Sequence, residues 1–159
     1  MPNVICNTTP LQYLHQIGQL DLLPRLCGTI RVPRAVVEEL AVGHARGIDL
    51  PHVEACSWID VCDVGPGLIH NFQILGRGEA EVLVLARAIP DPLVLLDDAA
   101  ARRTAFALGL AVRGTLGVLL DGKRAGLLPA VTPLLDQLHD CGFHLSSATR
   151  RTIIELASE

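Results

Sequence analysis

Four apolar residues, Leu93–Leu96, end in the paired acids Asp97 and Asp98 and run directly into AAARRTAFAL, a helical segment. A fully apolar strand needs cover on both faces, as a parallel strand inside an α/β sheet has. The same unit recurs along the chain. NVIC at 3–6 leads through Asn7, Thr8, Thr9 and Pro10 into LQYLHQI, and TIRV at 29–32 leads into PRAVVEELAVGHARG. LAV at 110–112 leads through Gly114 and Thr115 into TLGVLLDGKRAG, and WIDVCDV at 58–64 precedes the buried helix GRGEAEVLVLARA, Gly76 to Ala88. Strands alternating with helices at these spacings predict a parallel sheet, covered on both faces through right-handed crossovers.

Pro33 suits a first helical position and Gly47 a stop, while LDLLPRLC reads as a further helix. Two more helices, TPLLDQLHD and SSATRRTIIELA, occupy about 131–157, with Gly142 ending the first and Ser146 or Ser147 capping the second. GPG at 65–67 starts a loop. With 159 residues and no linker or repeat, residues 1–159 read as one domain, large enough to bury a core without staples. Apolar residues make up 50% and aromatics 3%, so that core must be Leu, Val, Ile and Ala.

Several function classes drop out. The longest apolar stretch, Val82 to Leu96, is broken by Arg87, Asp91 and two prolines, so no membrane span is expected. MPNVICNTTP has no basic leader, so a secretory signal is not expected and a cytoplasmic location is. Cys6, Cys27, Cys56, Cys62 and Cys141 form no CxxC pair and read as reduced and structural. His15, His44, His52, His70, His139 and His144 have no zinc-ligand spacing and read as ordinary surface or partly buried histidines. Ser146 and Ser147 lack a nucleophile elbow, and Gly76 with Gly78 forms no phosphate-binding fingerprint. The formal charge of −4 argues against a generally basic nucleic-acid surface but allows a local cationic rim.

In an open parallel sheet, ligands bind at the carboxyl ends of the strands. Polar groups sit at four such exits: Asn7, the pair Glu38 and Glu39, the pair Glu79 and Glu81, and the pair Asp97 and Asp98. Singly, each has a structural role open to it as a cap, a turn or an i,i+4 partner. Glu39 shares a helical stripe with Ala35, Val36 and Val42, which points it inward ahead of Glu38. Glu79 and Glu81 lie about 200° apart on a helical wheel, so both cannot face one site, and phase does not choose between them. Converging carboxylates repel unless some are protonated or a hard divalent cation binds them. Mg²⁺ or Mn²⁺ in such a place activates water and holds a phosphate for in-line hydrolysis.

NVICNTTPLQYL, VPRAVVEEL, LGRGEAEVLVLARA, LVLLDD and LAVRGTLGVLL, in this order, resemble a prokaryotic branch of the PIN-like domain family, related to VapC-type toxin ribonucleases. The likeness extends through GFHLSSATRRTIIELA. It implies a three-layer α/β/α sandwich, RNA cleavage with Mg²⁺ or Mn²⁺, a small antitoxin partner and a homodimer. It also places the family's four catalytic positions on Asn7, Glu39, Glu79 and Asp97, with Glu81 and Asp98 as alternative metal ligands. Thr9 and Thr115 then become substrate-binding candidates, although capping is open to both; Arg102 joins them because it and Arg103 follow Asp98 within about a turn and a half of helix, where one of the two can steer phosphate. Asn7 departs from the family's acid; its amide oxygen can touch a metal but brings no charge, which weakens metal affinity. The rival reading is a PIN-fold binding protein with weak or no catalysis. A phosphatase of similar architecture is disfavoured, because Asn7 offers no aspartate nucleophile.

Overall fold

A computed structural model describes residues 2–65, 72 and 74–159. Residues 66 and 67 of the expected loop, and His70, lie outside them. Five parallel strands form one sheet in the order β3-β2-β1-β4-β5: β1 Asn3–Cys6, β2 Ile30–Pro33, β3 Ile59–Cys62, β4 Pro92–Leu95 and β5 Ala111–Arg113. The helices are α1 Thr8–Gln16, α2 Leu22–Cys27, α3 Arg34–Ala45, α4 Arg77–Arg87, α5 Ala99–Ala107, α6 Thr115–Arg124, α7 Thr132–Asp140 and α8 Ser147–Leu156. This is the expected α/β/α sandwich. The sequence reading missed a short 3₁₀ turn at Val53–Ala55.

Alternation along the central strands sorts the core into two layers. Val4, Cys6 and Leu95 face a large cluster with Leu11, Leu14, Leu22, Leu119 and Leu135. Ile5, Val94 and Leu96 face the other way, against Ala80, Leu83 and Ala86 of α4 and Ala101 and Ala105 of α5. The chain moves in one direction along the sheet from β1 to β3, then returns past β1 to β4 and β5. The first helices accordingly pack on one face and α4 and α5 on the opposite one, as right-handed crossovers require. The reversal falls between β1 and β4, paired in register from Asn3↔Pro92 to Cys6↔Leu95. Asn7 and Asp97 therefore leave adjacent strand ends at the topological switch point.

α1 begins at Thr8, earlier than the apolar pattern suggests, because Pro10 is tolerated in a first helical turn. Pro33 ends β2 and stands at the N-cap of α3, one position before its expected place. Ser146 caps α8 by accepting from Thr149 N at 3.1 Å. None of the described helices is long and apolar enough to cross a membrane. The five cysteines are free thiols.

The far end of α8 is fastened by Glu159. Its carboxylate accepts from Lys123 Nζ at 2.8 Å, Val131 N at 2.7 Å and Thr132 N at 3.0 Å, joining α6 to the start of α7. The Lys123 contact first, and these backbone donors next, lower the Glu159 pKa to about 2. A depressed carboxylate stabilises the fold above its ordinary value, and this contribution disappears as the pH falls through the folded value. Glu159→Gln should therefore melt below wild type at pH 7, with the gap closing between about pH 4.5 and pH 2. Thermal unfolding followed by circular dichroism checks this, and a gap independent of pH would contradict it.

Candidate functional site

The site is built around a buried side-chain amide. Asn7 follows β1 in extended conformation, and its N–H continues the sheet by donating to Leu95 O at 3.1 Å. Although it stands at the N-cap of α1, its side chain makes no capping bond. The amide, 2% exposed in the residue as a whole, points elsewhere. Its Nδ2 donates to Glu79 Oε1 at 3.3 Å. Glu39 approaches the same place from α3, accepting from Gly78 N at 3.0 Å through Oε1 and from Thr8 Oγ1 through Oε2. The starts of α1 and α4 thus converge with the middle of α3, and Glu79 rather than Glu81 is the member of its pair that meets Asn7.

Asn7 Oδ1 is buried and has no hydrogen-bond partner. A methyl group placed on Gly78 would lie 2.6 and 2.9 Å from the two Glu39 carboxylate oxygens and 3.0 Å from Asn7 Oδ1. Three oxygens, none of them a donor in the carboxylate and amide-carbonyl forms, thus surround one point that only glycine leaves open. Exchanging the two ends of the amide moves the conflict without removing it, since the oxygen would then face Glu79 Oε1 at 3.3 Å. An unpartnered buried acceptor is costly, and an all-oxygen set beside it suits a hard divalent cation. Asn7 and Glu39 turn their oxygens to that space and fit such an ion, while Glu79 stands at the other end of the amide, accepting from Nδ2.

Glu81 and Asp98 serve the framework. Glu81, 2% exposed, accepts from Ala35 N at 3.2 Å and from Arg77 Nε at 3.0 Å. Arg77 also reaches Glu38 at 2.6 Å, so this network locks α3 to the start of α4 and sets the spacing of Glu39 and Glu79. Asp98 is exposed and caps α5 by accepting from Ala101 N at 2.9 Å. Of the stripe expected to turn Glu39 inward, Ala35 and Val36 are buried, but Val42 is 52% exposed and Glu39 itself is exposed. Glu39 reaches the site from the rim.

Asp97 stands beside this centre with partners of its own. Oδ1 accepts from Thr115 N at 2.8 Å and Oδ2 from Thr115 Oγ1 at 2.6 Å. Thr115 is fully buried, so it holds Asp97 as well as opening α6. Arg102 Nη1 donates to Leu96 O at 3.0 Å, and Gly114 keeps space beside both Arg102 and Asp97. Among the described residues, no three His, Cys, Asp or Glu side chains form one metal-sized group. The hydroxyl that meets Glu39 belongs to Thr8; Thr9 makes no such bond. Thr8, Gly78 and Arg77 escaped the sequence reading, although a helix-start threonine and a glycine two places into α4 were the available signals.

Burial pushes the Asp97 carboxyl above its ordinary value, outweighing the two Thr115 hydrogen bonds and the nearby Arg102 charge. The Cys6 thiol is raised well above its usual value, by burial first and then by Asp97, and is inert at neutral pH. A raised carboxylate makes the folded state hold its proton longer than the unfolded one, so its penalty is absent below the ordinary value, grows as the pH rises from there, and is complete above the folded value. An amide at this position satisfies Thr115 equally, since a hydroxyl both donates and accepts. Asp97→Asn should therefore raise the melting temperature, more at pH 7 than at pH 4. Melting curves at both values check the sign, and a variant less stable at pH 7 would contradict it.

The family model described as DUF3368, a PIN domain, matches residues 3–159. Nothing matches this chain among curated proteins or among solved structures. The matched span runs from the first residue of β1 past the end of α8 and contains every strand exit described above. The chain belongs to the PIN domain family.

Proposed function

We propose that this PIN domain, a nuclease-type fold, is a metal-dependent endoribonuclease that uses Mg²⁺ or Mn²⁺. The orphaned Asn7 Oδ1, facing the Glu39 carboxylate across the space that Gly78 leaves, carries this reading. Asn7, Glu39 and Glu79 would hold the ion, which when bound lowers the pKa of water and offsets phosphate charge. Thr8 and the Gly78 N–H keep the Glu39 carboxylate turned toward Asn7, and Arg77 and Glu81 keep the two helices in place. Asp97, fixed by Thr115, adds negative charge on the far side, and Arg102 offers a guanidinium to phosphate.

The rival, a PIN-fold binding protein without turnover, draws on Asn7 being neutral and on no three acids converging among the described residues. A small antitoxin partner and a homodimer belong to the leading proposal through the family likeness. The groove of Ala35, Glu38, Glu39, Val42 and Arg77 offers an antitoxin an apolar foothold beside Glu39.

Single-stranded RNA incubated with Mn²⁺ should be cleaved by wild type and not by Glu39→Gln or Glu79→Gln; cleavage surviving both Glu79→Gln and Asp97→Asn removes the proposal. Calorimetric Mn²⁺ titration separates the rival, which expects weak binding insensitive to these changes. Gly78→Ala deletes no ligand atom yet fills the shared space, and should weaken Mn²⁺ binding about 10–100-fold, as displaced supporting contacts do. Asn7→Asp restores a charge and should tighten it.

A further inference from the structure

On the side of Asp97 away from Glu39 lies a groove of about 420 Å³, a size typical of small-ligand sites. Its walls come from α5, the start of α6, and the segment entering α8. Asp97 is its one acid, against Arg102, Arg113 and His144, which is a local reversal in a chain of net charge −4. Each oxygen of Asp97 accepts a hydrogen bond from Thr115, which fixes the carboxylate at the start of α6. Arg113 is neutralised by Asp121 at 3.1 Å. Arg102 is not: among the described residues no carboxylate pairs with it, while Leu96 O and the ring of Phe106, 5.9 Å from its Cζ, fix its position. Asp97 lies near Arg102 across Gly114 without forming an ion pair with it, so the immobilised guanidinium keeps donors for an anion.

The opposite wall is not phosphate-like. Phe143 lines the groove and is held edge to face against Tyr13, with ring centroids 5.0 Å apart. The exposed His144 and Thr149 stand next to it and offer ring nitrogens and a hydroxyl. A fixed cation facing an aromatic ring with polar neighbours matches a ligand that is anionic at one end and planar at the other.

We propose that this groove takes one nucleotide, its phosphate at Arg102 and its base along Phe143, His144 and Thr149. Its assignment as the nucleotide flanking the cleaved bond rests on the ribonuclease reading. Sequence specificity would then reside partly in the segment that leads into α8, outside the acidic centre.

The test is a titration of the full chain, ¹⁵N-labelled and free of divalent metal, with nucleoside 5′-monophosphates, the parent nucleosides and inorganic phosphate. Monophosphates should shift the amides of Gly114, Gly117, His144 and Thr149 and bind about tenfold or more tighter than phosphate or nucleoside alone. His144→Ala and Arg102→Gln should each weaken this binding, and His144, being exposed, is a change the fold tolerates. Shifts confined to other surfaces, equal affinity for inorganic phosphate, or monophosphate affinity unchanged in both variants would overturn the proposal. RNA cleavage is scored separately. Monophosphate binding in the groove without cleavage removes the ribonuclease reading and leaves the nucleotide site standing. Cleavage with KM unchanged in both variants overturns the site and leaves the ribonuclease.

Discussion

One buried amide joins the sheet to the helices that make the site. Asn7 closes the β1–β4 ladder with its backbone and reaches Glu79 on α4 with its side chain, while its free oxygen faces Glu39 from α3. These contacts depend on the strand order reversing beside β1, which leaves a crevice where helices from both faces can meet. A polar group at 2% exposure costs stability unless partnered, and only half of this amide is. That conflict falls at the topological switch point, where ligands bind in open parallel sheets.

The surrounding carboxylates divide by what their own elements demand. Glu81 is the more deeply buried of its pair, but Arg77 and the Ala35 N–H satisfy it, so its charge is committed to holding α3 against α4. Asp98 is committed to the start of α5. Glu39, about one turn from Ala35, and Glu79, about half a turn from Arg77 and Glu81, turn toward Asn7. The framework acids thus give the site its dimensions, and a site built this way can lose one formal charge at Asn7 without losing its shape.

Most of the fold is legible in the sequence because apolar strands ending in polar residues, followed by helical periodicity, admit few arrangements. Every strand and helix read from the pattern exists within a few residues of its expected bounds. The site was legible as a set of strand exits, not as contacts. Helical phase could not separate Glu79 from Glu81, because α4 is apolar nearly all round and the choice is made by Asn7 on one side and Arg77 on the other. Nor could spacing tell Thr8 from Thr9: where α1 begins decides which hydroxyl meets Glu39, and Pro10 obscured that start. Gly78 is invisible to a search for chemical groups, since its contribution is an absent side chain and a backbone donor.

Asp97 marks the border between two surfaces of opposite character. Toward β1 the oxygens of Asn7, Glu39 and Glu79 dominate; toward α8 Arg102 does, in no ion pair with Asp97. A carboxylate free to rotate at that border would pair with Arg102 and cancel the groove's charge. Two hydrogen bonds from Thr115, one from the backbone and one from the hydroxyl, prevent this by holding both oxygens at the start of α6. The aspartate can then stay near the acidic centre while the arginine remains available on the other side, although burial has already made its charge expensive. The buried Thr115 is therefore what lets an acidic chain keep an anion-attracting groove within reach of its acids.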